Sequence, residues 1–208
     1  MTYVLYGRPR WGSAIVEAQL AWYGLPFKLE FVGDLLREPE SRAKLEKVNP
    51  LAQIPTLVMP DGTVMSESAA ITLLLADITG DDSLVPGPKA KERTRFLRWL
   101  VFLVANVYPT FTYGDIPGRF VPVEEAQAPF LTAVEAYRAK LWKQVEGDAK
   151  GPWFLGERFS AIDIFIAVMT IWQPKRPWFE VETPKLFAIS RRCEEQARLR
   201  NFWAGQQQ

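Results

Sequence analysis

Histidine is absent from this chain of 208 residues, and cysteine occurs once, at Cys193. The first absence excludes histidine-based triads and the common histidine-containing zinc and iron sites, and no metal is expected. The second excludes an internal disulfide and, with no Cys-x-x-Cys pair, dithiol redox chemistry. Charge of one sign is also lacking: 25 basic residues against 24 acidic ones leave a net +1, with no long single-sign run. That balance argues against broad binding of nucleic acid or of anionic membrane. No apolar stretch approaches the roughly 20 residues needed to span a bilayer, and no basic-then-apolar signal segment leads the chain. A soluble, cytoplasmic protein is the expectation. Chemistry is left to hydroxyls, carboxylates, backbone N–H groups, or a thiol borrowed from a small molecule.

What is present is ordinary for a globular protein: 48% apolar and 24% charged residues. The length suits one large domain or two small ones. Thr2 to Tyr6 reads as a buried strand, and Gly7 to Gly12 as a loop. A helix follows over 13–23, with Gly24 suited to a left-handed cap and Pro26 blocking continuation. Phe27 to Val32 is a second strand, and Glu38 to Lys47 a polar helix. Two strands with a hairpin at Asp61-Gly62 and a helix from about Ser68 complete this half. Thr79 to Pro88, rich in Gly, Pro and Asp, reads as a linker.

Beyond the linker no strand is evident. Lys89 to Val107 is a long amphipathic helix that Tyr108-Pro109 should kink or end. Phe111, Tyr113 and Phe120 then fall in a loop around Asp115-Ile116-Pro117-Gly118. A helix over 123–146 carries Phe130, Val134, Tyr137, Leu141, Trp142 and Val145 on one stripe. Ser160 and Asp163 have the spacing of a capping box, opening a helix apolar nearly all round. Pro184 to Trp203 is the last helical region, and the tail from Gln206 is expected to fray.

The most informative stretch lies between Asn49 and Ile71. Asn49-Pro50-Leu-Ala-Gln53-Ile54-Pro55-Thr56-Leu57 runs through the Asp61-Gly62 turn to Glu67-Ser68-Ala-Ala-Ile71. Proline lacks an N–H, so Pro55 begins its strand or sits at an edge, and X-Pro is where a cis bond is cheap. Such a bond would leave the N–H and C=O of Ile54 free to pair with an extended ligand. A hydroxyl beside a carboxylate at a helix N-terminus offers donors for an anion and an acceptor for a cation.

This ordered pair of motifs resembles the glutathione-binding half of the soluble glutathione transferases, as in bacterial members. The likeness is strong over 49–71, moderate at 156–169 and in outline elsewhere. It implies a thioredoxin-like α/β domain over 1–78, a linker over 79–88 and an all-helical domain over 89–208 that forms the hydrophobic acceptor site. It also implies that Ile54, before the cis-proline Pro55, pairs with the cysteinyl part of glutathione. Glu67 and Ser68 would hold the γ-glutamyl end, and Gln53 the glycyl carboxylate.

A free thiol titrates near about 8.5, so the site must favour the thiolate. In that family the activating residue, a Tyr, Ser or Cys, lies in the loop after the first strand. Ser13 is the hydroxyl at the helix start and the first candidate, with a plain N-cap as its equal alternative. Arg10 aligns about as well with the usual catalytic position, and Tyr6 reads as core. The backbone N–H groups of Trp11 to Ser13, with Arg10 nearby, are a further way to hold a thiolate. The acceptor pocket is expected between this loop and the next domain, lined by Trp11, Val104, Tyr108, Phe111 and Tyr113.

The implied activity is transfer of glutathione sulfur to a hydrophobic electrophile, a detoxification chemistry with glutathione as co-substrate. Alternatives are glutathione-dependent peroxidase or isomerase action, or a non-catalytic binding module of the same fold. A homodimer is expected from the family alone.

Overall fold

The computed structural model describes residues 2–206. β1 (Tyr3–Gly7) is the hub of a four-stranded sheet of order β2-β1-β3-β4. It pairs in parallel with β2 (Phe27–Phe31), Leu5 opposite Leu29, and antiparallel with β3 (Thr56–Val58), Leu5 opposite Leu57. β4 (Val64–Met65) closes the edge as the return arm of the Asp61-Gly62 turn. A parallel pair needs a crossover, supplied here by helix α1 (Ser13–Tyr23). Gly24 ends α1 at φ 65°, the left-handed cap that its lack of a Cβ allows. α2 (Pro39–Glu46) precedes Asn49, and α3 (Ser68–Thr79) packs beside α1. Leu5, Val16, Leu20, Leu57, Ile71 and Leu75 form the core between sheet and helices.

After Met65 no further strand occurs among the described residues, only an isolated bridge between Trp153 and Gly156. The helices are α4 (Arg93–Phe102), α5 (Pro109–Asp115), α6 (Glu124–Asp148), α7 (Ala161–Met169), α8 (Arg176–Glu182), α9 (Pro184–Glu194) and α10 (Arg200–Gly205). All residues of α7 are buried, as an all-round apolar helix requires. Its start carries the expected reciprocal box: Ser160 Oγ accepts the Asp163 N–H, while Asp163 Oδ2 accepts the Ser160 N–H at 2.8 Å. Asp163 Oδ1 also accepts the Phe154 N–H at 2.8 Å, so one carboxylate ties the preceding loop to the helix. Among the described residues no helix is long and apolar enough to cross a membrane.

Some elements differ from the expectation. The helix expected over 89–107 starts only at Arg93, while its end at Val107 is where Tyr108-Pro109 was expected to kink or end it. Without an N–H, Pro109 cannot bond Ala105. The chain instead widens over Leu103–Val107, where Tyr108 N–H reaches back five residues to Leu103 C=O at 2.8 Å, and Pro109 becomes the first residue of α5. Such one-turn π bulges recur at functional sites. Phe111 and Tyr113 are therefore helical rather than in a loop. Tyr137 is 48% exposed and leaves the α6 stripe, and α8 was not expected. Gln206 is buried rather than frayed, while the rest of the expected tail lies outside the described residues.

Candidate functional site

The loop from Gly7 to Gly12 turns from β1 into α1. Ser13 is 1% exposed, and its hydroxyl is committed to closing this loop. It accepts the Arg8 N–H at 3.0 Å and donates to the Arg8 C=O at 3.1 Å. Arg10 has φ 63°, a left-handed conformation that costs a side-chain-bearing residue on the order of 1–3 kcal/mol unless its surroundings enforce it. Two distant side chains do so: Arg10 N–H donates to Gln206 Oε1 at 2.6 Å, and Trp172 Nε1–H donates to Arg10 C=O at 2.5 Å. Gln206 Nε2 also donates to Glu17 Oε2 at 3.1 Å, joining the end of the chain to α1. Among the described residues the N–H groups of Gly12 and Ser13 have no partner, as expected of the first turn of a helix.

Across from this loop, Asn49 organises the segment before β3. Its Nδ2 donates to Gln53 C=O (3.1 Å) and Thr56 Oγ1 (2.9 Å), and its Oδ1 accepts Leu51 N–H (3.2 Å). The Ile54–Pro55 bond is cis. Among the described residues the N–H and C=O of Ile54 are unpaired. Glu67 stands immediately before α3 at φ 64° with no ion-pair partner among the described residues, and Ser68 opens the helix, 7% exposed.

Tyr108, carried in from the bulge before α5, meets both segments. A methyl group built on Gly12 would overlap the Tyr108 hydroxyl and stand 3.0 Å from the Ile54 carbonyl oxygen. The phenol, the Gly12 backbone and the Ile54 carbonyl thus converge on one point. Burial first, then the charges of Asp115 and Glu67, push the Tyr108 phenol above its usual pKa. It stays a neutral O–H donor near neutral pH.

Two lobes open on either side of this point. One, of 450 Å³, is lined by Trp11, Gln53, Ile54, Pro55, Glu67 and Ser68, with Arg42 and Arg119 also on its wall. The other, of 490 Å³, lies between Arg10, Trp11, Phe111, Arg138, Trp172 and Lys175. Trp11, Gly12, Leu36, Tyr108, Thr112 and Asp115 line both. Tyr108, Phe111 and Trp172 stack edge to face, with ring centroids 5.4 Å (Tyr108–Trp172) and 4.9 Å (Phe111–Trp172) apart. The four described non-glycine residues of positive φ, Arg10, Ala52, Glu67 and Lys175, all line one lobe or the other. Backbone strain therefore gathers at this cleft.

The residues expected to hold glutathione, Gln53, Ile54, Pro55, Glu67 and Ser68, share the 450 Å³ lobe with Trp11, whose backbone was expected beside the thiolate. Of the five expected around an acceptor, Trp11, Tyr108 and Phe111 line the 490 Å³ lobe; Val104 and Tyr113 face the other. Arg10 lines the 490 Å³ lobe, and Ser13 lines neither. Sequence reasoning missed Trp172, Arg138, Lys175, Asp115, Arg42 and Gln206. None sits in a motif: a tryptophan after an apolar helix or an arginine on an amphipathic one has no local signature. Among the described residues no cluster of His, Cys, Asp and Glu is placed to hold a metal ion.

The family profile described as the glutathione S-transferase N-terminal domain matches residues 13–78. The chain is similar to YncG, an uncharacterized GST-like protein of Escherichia coli (strain K12), with 37% identity covering 89% of each chain. It is similar to the glutathione S-transferase GstA of Escherichia coli O157:H7, with 26% identity covering 81% of each. Among solved structures, a glutathione transferase homolog from Sulfitobacter with bound glutathione superposes with a TM-score of 0.83. It is 20% identical and covers 98% of both chains, a likeness of fold.

Proposed function

Because the chain belongs to the glutathione S-transferase family, we propose that it binds glutathione in the 450 Å³ lobe and transfers its sulfur to an electrophile in the 490 Å³ lobe. The observation that carries this is the convergence of Tyr108, Gly12 and Ile54 on the wall shared by the two lobes.

In this reading Glu67 accepts from the γ-glutamyl ammonium, and Ser68 with the free N–H groups of the α3 N-terminus holds the neighbouring carboxylate. The unpaired N–H and C=O of Ile54 take the cysteinyl backbone as a strand would. Gln53 and Arg42 hold the glycyl carboxylate. The sulfur then lies beside Gly12, where the unpaired N–H groups of Gly12 and Ser13 and the Tyr108 O–H favour the thiolate. Ser13 supports this by shaping the loop, since its hydroxyl already has both of its partners. Arg10 contributes a positively charged wall to the second lobe. The thiolate attacks an electrophilic carbon held against Trp11, Phe111 and Trp172; a C–S bond forms as the leaving group departs with its electron pair. Holding both reactants across one wall turns a bimolecular attack into a positioned one.

The test is glutathione binding by calorimetry across pH, with thiolate absorbance near about 240 nm, on the wild type, Tyr108→Phe and Ser13→Ala. The proposal expects binding with a depressed thiol pKa that Tyr108→Phe raises by about one unit, a change of about 1.4 kcal/mol. Ser13→Ala should leave that pKa nearly unchanged while lowering stability. Binding without a depressed pKa would instead support the non-catalytic module, and absence of binding would overturn the proposal.

A further inference from the structure

Arg138, on α6, is a buried cation outside any ion pair among the described residues, with the charges of Glu135 and Asp115 acting on it from farther away. It is 5% exposed, and among the described residues no carboxylate lies within ion-pair distance of it. Thr110 orients its guanidinium, accepting from Nε at Oγ1 (3.0 Å) and from Nη2 at its carbonyl (2.8 Å). The plane stacks over Phe111, 4.7 Å from the ring centroid. The third nitrogen, Nη1, has no hydrogen-bond partner among the described residues, and Arg138 lines the 490 Å³ lobe. Nη1 is not a buried atom, so it opens onto the lobe, where a planar anion can take it as a charge-assisted partner.

The same lobe carries two more cations outside any ion pair among the described residues. Arg10 and Lys175 both line it, both are exposed, and both are held in left-handed backbone conformations (φ 63° and 74°). Two acids also line it. Glu135 is exposed to solvent, and burial pushes the Asp115 carboxyl above its usual range while the charges of Arg138 and Arg119 pull it back down. Most of the remaining wall is apolar and aromatic, with Trp11, Leu36, Phe111, Leu131, Ile171 and Trp172, while Thr112 and Gln173 add polar groups.

We infer that the 490 Å³ lobe selects electrophiles that carry a carboxylate on an apolar or aromatic body, with Arg138 taking the carboxylate and Arg10 and Lys175 steering it in. The body lies against Trp172 and Phe111, which places the reactive carbon toward Tyr108 and the wall shared with the other lobe. This deepens the transferase reading, because it names the substrate class of that site, but the anion recognition itself needs no turnover.

A binding experiment separates the two. The unreactive pair 2-naphthoate and 2-naphthamide is titrated by ligand-observed NMR into the full chain, with and without glutathione. The wild type is expected to bind the carboxylate at least about tenfold more tightly than the amide, the scale of one charge-assisted contact. In Arg138→Gln that preference should fall to within about twofold, with amide affinity retained. Unchanged glutathione binding in the other lobe serves as the check on folding. Should Arg138→Gln not fold, the exposed variants Lys175→Gln and Arg10→Gln carry the test, each expected to reduce the preference two- to fivefold. Equal affinity for carboxylate and amide in the wild type, or a preference that survives in Arg138→Gln, or in both exposed variants where that one does not fold, overturns the inference. Carboxylate preference without any glutathione binding would sustain the anion site while sinking the transferase reading.

Discussion

The Tyr108 hydroxyl occupies the space into which a Gly12 Cβ would project, with the Ile54 carbonyl oxygen 3.0 Å from that same point. Gly12 has φ −56°, so its backbone would accept any residue; it is the approach of Tyr108 that demands the missing Cβ. Gly12→Ala is expected to cost about 1–3 kcal/mol through overpacking. It should also weaken glutathione binding at least about tenfold by displacing Tyr108. The double variant with Tyr108→Phe should recover part of the stability but not the binding. Urea midpoints and calorimetry on the three proteins check this, and additive losses of stability would show that the two residues do not compete for space.

Glu67 has no cation of its own among the described residues, yet stands strained at the mouth of α3. Glu67→Gln keeps size and backbone but removes the charge. Glutathione affinity is expected to drop about tenfold or more, with the thermal midpoint within about a degree of wild type. An affinity equal to wild type would remove Glu67 from the ligand set.

Gln206 holds the Arg10 N–H from the far end of the chain. Gln206→Ala leaves that donor unpaired and releases Glu17, with an expected loss of about 1–3 kcal/mol. Burial raises the Glu17 carboxyl and the Gln206 donor lowers it, so the variant should raise the Glu17 pKa further. Amide exchange over 8–13 is the direct readout. Protection as in the wild type would mean that Trp172 alone holds the loop.

Burial pushes the Asp163 carboxyl from an ordinary 3.8 up to about 7, against the pull of the Phe154 and Ser160 donors. Between these values the folded chain keeps a proton that the unfolded chain has released. The stability from that proton is fully present below the lower value and is lost as pH rises through the upper one. Urea midpoints near pH 5 and near pH 8 should therefore fall more for the wild type than for Asp163→Asn. The variant should be less stable at both, because its amide N–H₂ faces N–H donors. Parallel falls in the two proteins would rule out Asp163 as the titrating group.

Much of the fold was legible before the structure because its signals are local. Gly24 as a left-handed cap, the Asp61-Gly62 turn and the Ser160/Asp163 box each act over a few residues, and each shows in the spacing. Tyr108-Pro109 broke the helix where expected, but no local signal showed that Tyr108 N–H would bond Leu103 C=O and that Pro109 would open a new helix. At Ser13 the sequence left two readings open, since a hydroxyl at a helix start reads alike whether it faces a ligand or caps the helix; in the structure it bonds the Arg8 backbone.

The sequence by itself determined the family resemblance, the segment from Asn49 to Ser68 and the absence of histidine or dithiol chemistry, because residue type and short spacing suffice for these. Only the tertiary structure decided which groups meet at Gly12 and which form the second lobe. Arg10 is tied to Gln206 across 196 positions and to Trp172 across 162, and Arg138 reaches Thr110 across 28. Contacts of that range leave no periodicity in the chain. They exist because packing the helices against α1 and the 7–12 loop brings together side chains that the sequence keeps apart.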